Sequence, residues 1–187
     1  PWRGATLWRS GDGASFDRFA EAPVTAALGR LAAPLPPGPV WRWDRASALL
    51  LALETGDLAA DGDLAALSGR RLLAVKGPDG LIELVGFARA ELVAPATWRL
   101  TRLLRGLGGA EATATRTTPA GSLVVVVDEA LIPVATGAAA LGRSWQWRIG
   151  PPDRDHGDPA MAALTATPGP EALRLPAPVR AAARRGP

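Results

Sequence analysis

The stretch LIELVGFARAELVAPATWRLTRLLRGLGGAE, residues 81–111, decides the fold. It begins with a nearly unbroken apolar run, residues 81–87, that holds one carboxylate, Glu83. Residues 97–102 then alternate apolar and polar side chains, which is the two-residue period of a β-strand with one buried face. Glycines at positions 106, 108 and 109 end the stretch, and glycine accepts the positive φ of tight turns at little cost. The pattern predicts strands that end in a turn.

A helical interpretation of the second half of this stretch stays open. Its leucines lie at i, i+3, i+4 and i+7, which is helical spacing: Leu100, Leu103, Leu104 and Leu107. Pro95 precedes them and the glycines follow, so about three turns of helix would fit at most, because proline lacks an N–H donor and glycine weakens a helix. We therefore favour a strand followed by a turn.

The rest of the chain shows the same rhythm of short apolar runs separated by turn signals. Residues 123–127 contain four consecutive valines, which are β-branched and favour a strand. Further strands are predicted at residues 5–9, 15–20, 41–43, 48–53, 58–60, 72–75, 132–135 and 145–149. About a dozen strands without a βαβ rhythm predict a mainly β fold, a short-stranded barrel or sandwich with few short helices.

Proline-rich segments indicate where the chain divides. Residues 1–150 are predicted to form one β-rich assembly region, with a candidate break into two subdomains near residues 34–40, where four prolines occur. Residues 151–187 are rich in proline and alanine and show no strand or helix period, which predicts a linker or a strap across a neighbour. The first residue is Pro1, which suggests an excised piece of a longer protein.

Composition excludes several classes of protein. The chain has no cysteine, so disulfides and thiolate metal sites are excluded. It has no apolar segment long enough to predict a membrane span. The net charge of +3, from 21 basic and 18 acidic residues, is small, and a charge carried by arginine reflects genome composition as readily as nucleic-acid binding. The 18 prolines and 21 glycines favour many turns over long helices.

No catalytic set can be assembled from the sequence. The single histidine, His156, lies among Asp153, Asp155 and Asp158, a set that could ligate a metal, but residues this close together also form an ordinary solvated loop, which we favour. No serine occupies a nucleophile elbow, and the glycines at 106–109 lack the lysine of a phosphate-binding loop. We predict no enzyme activity, no catalytic residue, no cofactor and no bound metal.

Glu83 and Arg105 are predicted to have a structural role. A carboxylate in an apolar strand could serve as the general acid of a glycosidase, but a buried carboxylate normally needs a partner, and Arg105 is a candidate. Arg105 can make a bidentate pair with Glu83 or with Glu111, and it is expected to brace the turn over residues 105–111. The residues assigned structural roles are Glu83, Arg105, Gly106, Gly109 and Glu111.

The seven tryptophans, in a chain without tyrosine, are candidates for interfaces. Exposed rings could stack on sugars, whereas tryptophans in a core or between subunits are the more common case. The interface candidates are Trp8, Trp41, Trp43, Trp98, Trp145 and Trp147.

The order of short motifs along the chain resembles a known family. The matching residues of the central stretch are Glu83, Phe87, Ala90, Leu92, Val93, Trp98 to Leu100, Leu103 to Gly106, Gly109 and Glu111, and the match continues in the strand that follows, Gly121 to Asp128. Further matches are GATLWRS at residues 4–10, Gly29-Arg30-Leu31, WQWRIGP at residues 145–151 and Pro-x-Pro-Val at residues 176–179. This order resembles the tail-tip hub proteins of long-tailed phages, above all the large hub, or megatron, proteins of phage-like gene transfer agents. The chain departs from the family pattern at Ala110, where threonine is usual, and at Ile82, where an aromatic residue is frequent.

The resemblance implies a function and partners. It implies a structural component of a tail tip or baseplate in a virion-like particle, assembling with sister subunits as a homotrimer and with neighbouring tail and baseplate proteins for host attachment and DNA delivery. DNA would pass through the assembly without being specifically bound, and the host envelope is a further candidate partner. The alternative from the tryptophans is a carbohydrate-binding or glycan-cleaving module acting on the host cell surface.

Overall fold

A computed structural model describes residues 3–58, 62–134 and 137–169 of the chain. Within these residues eleven strands and one short α-helix, α1 (Asp63–Leu67), are present. The strands are β1 (Ala5–Ser10), β2 (Asp17–Ala22), β3 (Leu28–Leu31), β4 (Trp43–Asp44), β5 (Leu49–Thr55), β6 (Leu72–Lys76), β7 (Ile82–Ala94), β8 (Thr97–Leu107), β9 (Leu123–Val127), β10 (Trp145–Gly150) and β11 (Ala162–Ala166). The predicted mainly β class is confirmed.

Six of the strands close into a barrel. They are hydrogen-bonded in the order β8-β5-β3-β9-β6-β7, and β7 pairs with β8 to complete the ring. The short strand β4 pairs with β8 at Leu103 and Leu104. All the pairings within the ring are antiparallel. The residues that fill the barrel are apolar and almost fully buried; besides Phe87 they include Leu31, Leu49, Leu51, Leu73, Val75 and Val124. In a closed ring every strand has a neighbour on each side, so the barrel has no edge strand.

The stretch at residues 81–111 forms the long hairpin of β7 and β8, so the strand interpretation is correct and the helical one is wrong. The hairpin turns at Pro95 and Ala96, where Ala96 has φ 53°. Leu100 and Leu103 are both fully buried although they lie three residues apart in one strand. Arg102 between them has φ 54°, and this left-handed backbone interrupts the two-residue alternation. The interruption produces the spacing that imitates a helix.

The other four strands form a separate sheet in the order β11-β10-β1-β2, again with antiparallel pairs. This sheet joins the two ends of the described chain, because β1 pairs with β10 from Thr6↔Gly150 to Ser10↔Gln146. The chain enters the barrel between β2 and β3 and leaves it after β9. The boundaries between the two sheets therefore lie between β2 and β3 and after β9.

The predicted break at residues 34–40 lies against the barrel. Leu35 is buried and forms an isolated bridge with Thr118, and Val40 forms one with Arg105. Proline lacks an N–H donor, so this connector adds little to a sheet ladder and is held by its few side-chain and backbone contacts.

Several local predictions differ from the structure. Residues 151–187 were predicted as a linker or strap, yet Ala162–Ala166 forms β11; residues 170–187 lie outside the described part. Residues 132–134 are not in a strand, and neither is Leu58; the remaining residues of those two predicted strands, 59, 60 and 135, lie outside the described part. Trp41 has φ 63°, which removes it from the predicted strand at 41–43. The longest helix in the described part, α1, has five residues, so no helix there could cross a membrane.

Candidate functional site

Arg105 and Glu83 form a buried ion pair between β8 and β7. Arg105 Nε donates to Glu83 Oε1 at 2.6 Å, and Arg105 Nη2 donates to Glu83 Oε2 at 3.0 Å. The exposed fractions of the two residues are 1% and 2%. The backbone N–H of Gly106 donates to Glu83 Oε1 at 3.2 Å. Both carboxylate oxygens are therefore held by donors, which is the bidentate arrangement that a planar guanidinium favours.

The same guanidinium holds the proline-rich connector to the barrel. Arg105 Nη1 donates to the backbone carbonyl of Pro36 at 3.0 Å. It also lies 3.6 Å from Oδ2 of Asp44, a buried carboxylate at the end of β4. The other oxygen of Asp44 accepts the N–H groups of Ala46 and Ser47 at 3.1 and 3.0 Å. One arginine thus joins β7, β8, β4 and the connector.

Arg105 was expected to brace the turn over residues 105–111, with Glu83 or Glu111 as its partner. The side chain points into the cluster and bonds Glu83 and Pro36, while the turn is reached by Glu83 through the N–H of Gly106. Of the two candidate carboxylates, Glu83 binds the guanidinium of Arg105, and Glu111 follows the glycines at residues 106–109. Alternation explains this, because Arg105 follows Leu103 by two residues and so shares its inward direction.

Glycines 106 and 109 shape the turn. Gly106 has φ +62°, and a Cβ there would lie 2.8 Å from Cα of Glu111 and 3.1 Å from the carbonyl oxygen of Ala110. Gly109 has φ +86°. A side chain at position 106 would therefore clash with backbone as well as strain φ.

Two residues of the cluster were not predicted from the sequence. Asp44 was passed over because the short strand predicted at residues 41–43 does not indicate that the residue after it is buried. Gly38 is the other: a Cβ there would lie 2.6 Å from both Arg105 Nη1 and Asp44 Oδ2. A glycine among prolines gives no signal of this contact, since it depends on a side chain 67 positions away.

The six candidate interface tryptophans do not converge on one surface. Trp147 is buried, and Trp98 packs against the barrel core. Trp41 is 49% exposed and is the most exposed of the six. Trp43 lies under the guanidinium of Arg102, 5.0 Å from ring centroid to Cζ. Trp8 and Trp145 are partly buried in the four-stranded sheet.

His156 is a packed side chain. Its ring lies 5.1 Å from that of Phe16, nearly parallel to it, and 5.4 Å from that of Trp8. Nδ1 of His156 lies 2.5 Å from Oδ1 of Asp155. Among the described residues no group of three or more histidine, aspartate or glutamate side chains could hold a metal ion. The arrangement is a small aromatic cluster over one face of the four-stranded sheet.

One comparison with known proteins gives a match. A family model described as Rcc01698-like, C-terminal matches residues 26–125. The name is associated with the gene transfer agent of Rhodobacter capsulatus. No curated protein matches the chain. The matched span contains β3 to β8, most of β9 and the whole Glu83–Arg105–Asp44 cluster, and it excludes all four strands of the separate sheet.

Proposed function

Because the chain belongs to the Rcc01698-like, C-terminal family, we propose that it is a structural component of the tail tip of a phage-like, gene-transfer-agent particle. In this role the barrel serves as an assembly domain of the hub. It would associate with sister subunits, as a homotrimer on the tail axis, and with adjacent tail and baseplate proteins. Host attachment and DNA delivery would be functions of the whole assembly.

The observation that carries the proposal is that the family match, residues 26–125, coincides with the barrel. It spans the barrel strands and the buried ion cluster that ties them together. The cluster is buried, and the three hydrogen bonds that Arg105 donates join its strand to β7 and to the proline-rich connector, which suits a rigid assembly domain better than a reaction site. The modest charge of +3 agrees with a protein that lets DNA pass without binding it specifically.

The absence of catalysis is part of this proposal. Glu83 is the carboxylate that could serve as a general acid, yet its two oxygens accept bonds from Arg105 and its side chain does not reach the surface. A general acid must lie within hydrogen-bond reach of the group it protonates. We therefore expect no hydrolysis of peptides, esters or cell-wall glycans.

Sugar binding is the alternative function, and the structure offers it limited support. A sugar ring stacks on a free aromatic face. The guanidinium groups of Arg9 and Arg143 lie over the ring of Trp145 at 4.4 and 4.5 Å from its centroid, so that face is already occupied. Trp41 keeps an exposed ring but has no second aromatic ring stacked beside it in the described part of the chain.

Immunogold labelling tests the proposed location. Particles carrying an epitope tag in the exposed hairpin turn at residues 78–80 would be labelled with gold and imaged by negative-stain electron microscopy. Gold at the tail tip supports the proposal. Gold on the head, or particles that carry no tagged protein, contradict it. Binding of the untagged chain to a glycan array, with no association with particles, would favour the sugar-binding alternative.

A further inference from the structure

Trp41 is an exposed aromatic residue held in a strained backbone conformation. Its φ of 63° lies in the left-handed region, which is rare for a bulky residue, and the residue is 49% exposed. Strain of this kind persists only where the surrounding structure imposes it, and it occurs most often at functional sites. The chain on either side is fixed, because Val40 forms a bridge with Arg105 and Asp44 is buried beside the same arginine. The fold therefore presents this ring to solvent.

Positive charge without a partner flanks the ring. Arg42 and Arg45 are exposed, and within the described part of the chain neither guanidinium donates a hydrogen bond or makes an ion pair. The carboxylate between them, Asp44, is buried in the Arg105 cluster and does not offset their charge at the surface. Tryptophan and arginine are the residues that contribute most often to binding between proteins. The segment at residues 41–45 therefore has the composition of a contact surface.

An apolar groove lies next to this ring. Its volume is about 470 Å³, and its apolar lining comes from the long hairpin of β7 and β8 and from the residues beside it: Leu81, Ile82, Leu84, Leu107, Ala110 and Ala112. Leu81 and Ile82 are 53% and 46% exposed. Leu107 and Gly108 also line a smaller cavity together with Trp41 and Arg42, so the ring and the groove are neighbours. Exposed apolar side chains grouped in this way mark an interaction surface.

A carboxylate without a partner lies beside the groove. Glu111 is flanked by two residues that line the groove, Ala110 and Ala112, and it is partly exposed. Within the described residues its side chain accepts no hydrogen bond and makes no ion pair. The groove thus offers an apolar space with negative charge beside it, whereas the segment at residues 41–45 offers an apolar ring with positive charge beside it.

We propose that Trp41 of one copy of this chain enters the groove of a second copy, and that Arg42 pairs with Glu111 across the contact. Every copy carries both halves of the contact, matched in polarity and in charge. The ring meets a different surface of its partner, so contacts of this kind pass from copy to copy and can close into a ring of subunits. The inference rests on the proposed function, in which copies of this chain meet as sister subunits, and it names the surface through which they meet.

Single-stranded nucleic acid is the less favoured occupant. It binds by stacking successive bases on several aromatic rings. In this segment the other ring, that of Trp43, already has the guanidinium of Arg102 over it, 5.0 Å from its centroid. One free ring suits a groove in a protein better than a run of bases.

Sedimentation velocity of the full chain over a range of concentrations tests the proposal. Trp41→Gly removes the ring and suits the left-handed backbone, because glycine accepts a positive φ. Ile82→Lys places a positive charge in the groove. Each variant should raise the dissociation constant of self-association about tenfold or more. Val93→Lys is the matched control, because Val93 is 47% exposed near the opposite end of β7, and it should leave association unchanged.

Two combinations of variants test the contact itself. Arg42→Glu and Glu111→Arg should each weaken association, and the chain that carries both should regain it, because the two charges are exchanged. A Trp41→Gly chain keeps its groove and an Ile82→Lys chain keeps its ring. The two should therefore bind each other more tightly than either binds itself. The chain tagged at residues 78–80 is measured as well, since the tag precedes Leu81 and must leave association unchanged before labelled particles are interpreted.

Three outcomes would overturn the proposal. The first is a native chain that stays monomeric at about 1 mM. The second is self-association that Trp41→Gly and Ile82→Lys leave unchanged. The third is binding of a fluorescent single-stranded oligonucleotide, dependent on Trp41, by a chain that stays monomeric. Each of these would leave the tail-tip location to its own test on untagged particles, so the two proposals can fail separately.

Discussion

Arg105 on β8 holds both carboxylate oxygens of Glu83 on β7, at 2.6 and 3.0 Å, inside a barrel that excludes both side chains from solvent. The cost of burying two charges is offset only where geometry is good and the remaining donors find acceptors. Here the third guanidinium nitrogen bonds Pro36 and lies near Asp44. The pair therefore also fixes where the proline-rich connector crosses the barrel.

Arg105→Ala should lower the free energy of unfolding by on the order of 3 kcal/mol, because it leaves Glu83 buried without its counter-ion. Arg105→Lys should restore only part of the loss, since an ammonium cannot make the planar two-bond contact. Urea denaturation followed by tryptophan fluorescence measures both. Arg99→Ala is the control on the same strand, where the side chain is exposed, and it should change stability by less than about 0.5 kcal/mol. Equal stability of the Arg105→Ala and Arg99→Ala variants would show that the pair contributes nothing.

Replacing both partners should cost less than replacing one. Glu83→Leu with Arg105→Met removes both charges and keeps apolar volume, so we expect the double variant to be more stable than Arg105→Ala. Asp44 would still lose the guanidinium of Arg105 beside it, which limits how much stability the double variant regains. A double variant that is less stable than either single variant would mean that the network, and not the isolated charge, provides the stabilisation.

Gly38→Ala should destabilise the connector. The added Cβ would lie 2.6 Å from Arg105 Nη1 and from Asp44 Oδ2, and neither atom can withdraw without breaking the cluster. Overpacking of this kind costs about 1–3 kcal/mol. Gly157→Ala is the control, because no atom lies within 4 Å of its added Cβ. Differential scanning calorimetry on both variants compares the two; matching melting temperatures would contradict the contact.

The carboxyl group of Asp12, in the turn after β1, should titrate at unusually low pH. The pKa of Asp12 is lowered from 3.8 to about 2, chiefly by the backbone N–H groups of Ser15 and Ala14 and then by the Ser10 hydroxyl. The folded pKa is the lower one, so the stabilisation is present above pH 4 and is lost as the pH falls toward 2. NMR titration of the Asp12 carboxyl carbon should give a midpoint near 2 that rises in Ser10→Ala. A midpoint near 3.8 in the native chain would contradict the hydrogen bonds.

The class of fold followed from local patterns, but the partners of the strands did not. Four valines in β9 and the alternation in β8 carry their own signal. By contrast, β1 pairs with β10 more than a hundred residues away, and no local pattern specifies that choice. β11 was missed because its alanines have low strand propensity, and its pairing with β10 overrides that preference.

The sequence predicted the Glu83–Arg105 pair at the centre of the buried cluster, but not the other residues that contact Arg105. A charged residue between the apolar Leu103-Leu104 and the glycine turn is drawn inward and needs a partner, which led to Arg105 and to two candidate carboxylates. Choosing Glu83 over Glu111 requires the register of β7 against β8, and that register contains two irregularities. The contacts of Pro36, Gly38 and Asp44 depend on where a connector crosses the barrel, which composition does not specify.

An electron-microscopy map of the intact particle, at a resolution that separates strands, tests the central proposal most directly. We expect density at the tail tip into which the six-stranded barrel fits, repeated by threefold symmetry about the tail axis. A map in which the barrel lies in the head or the outer fibres would contradict the proposed function, as would a complete tail tip that contains no such barrel.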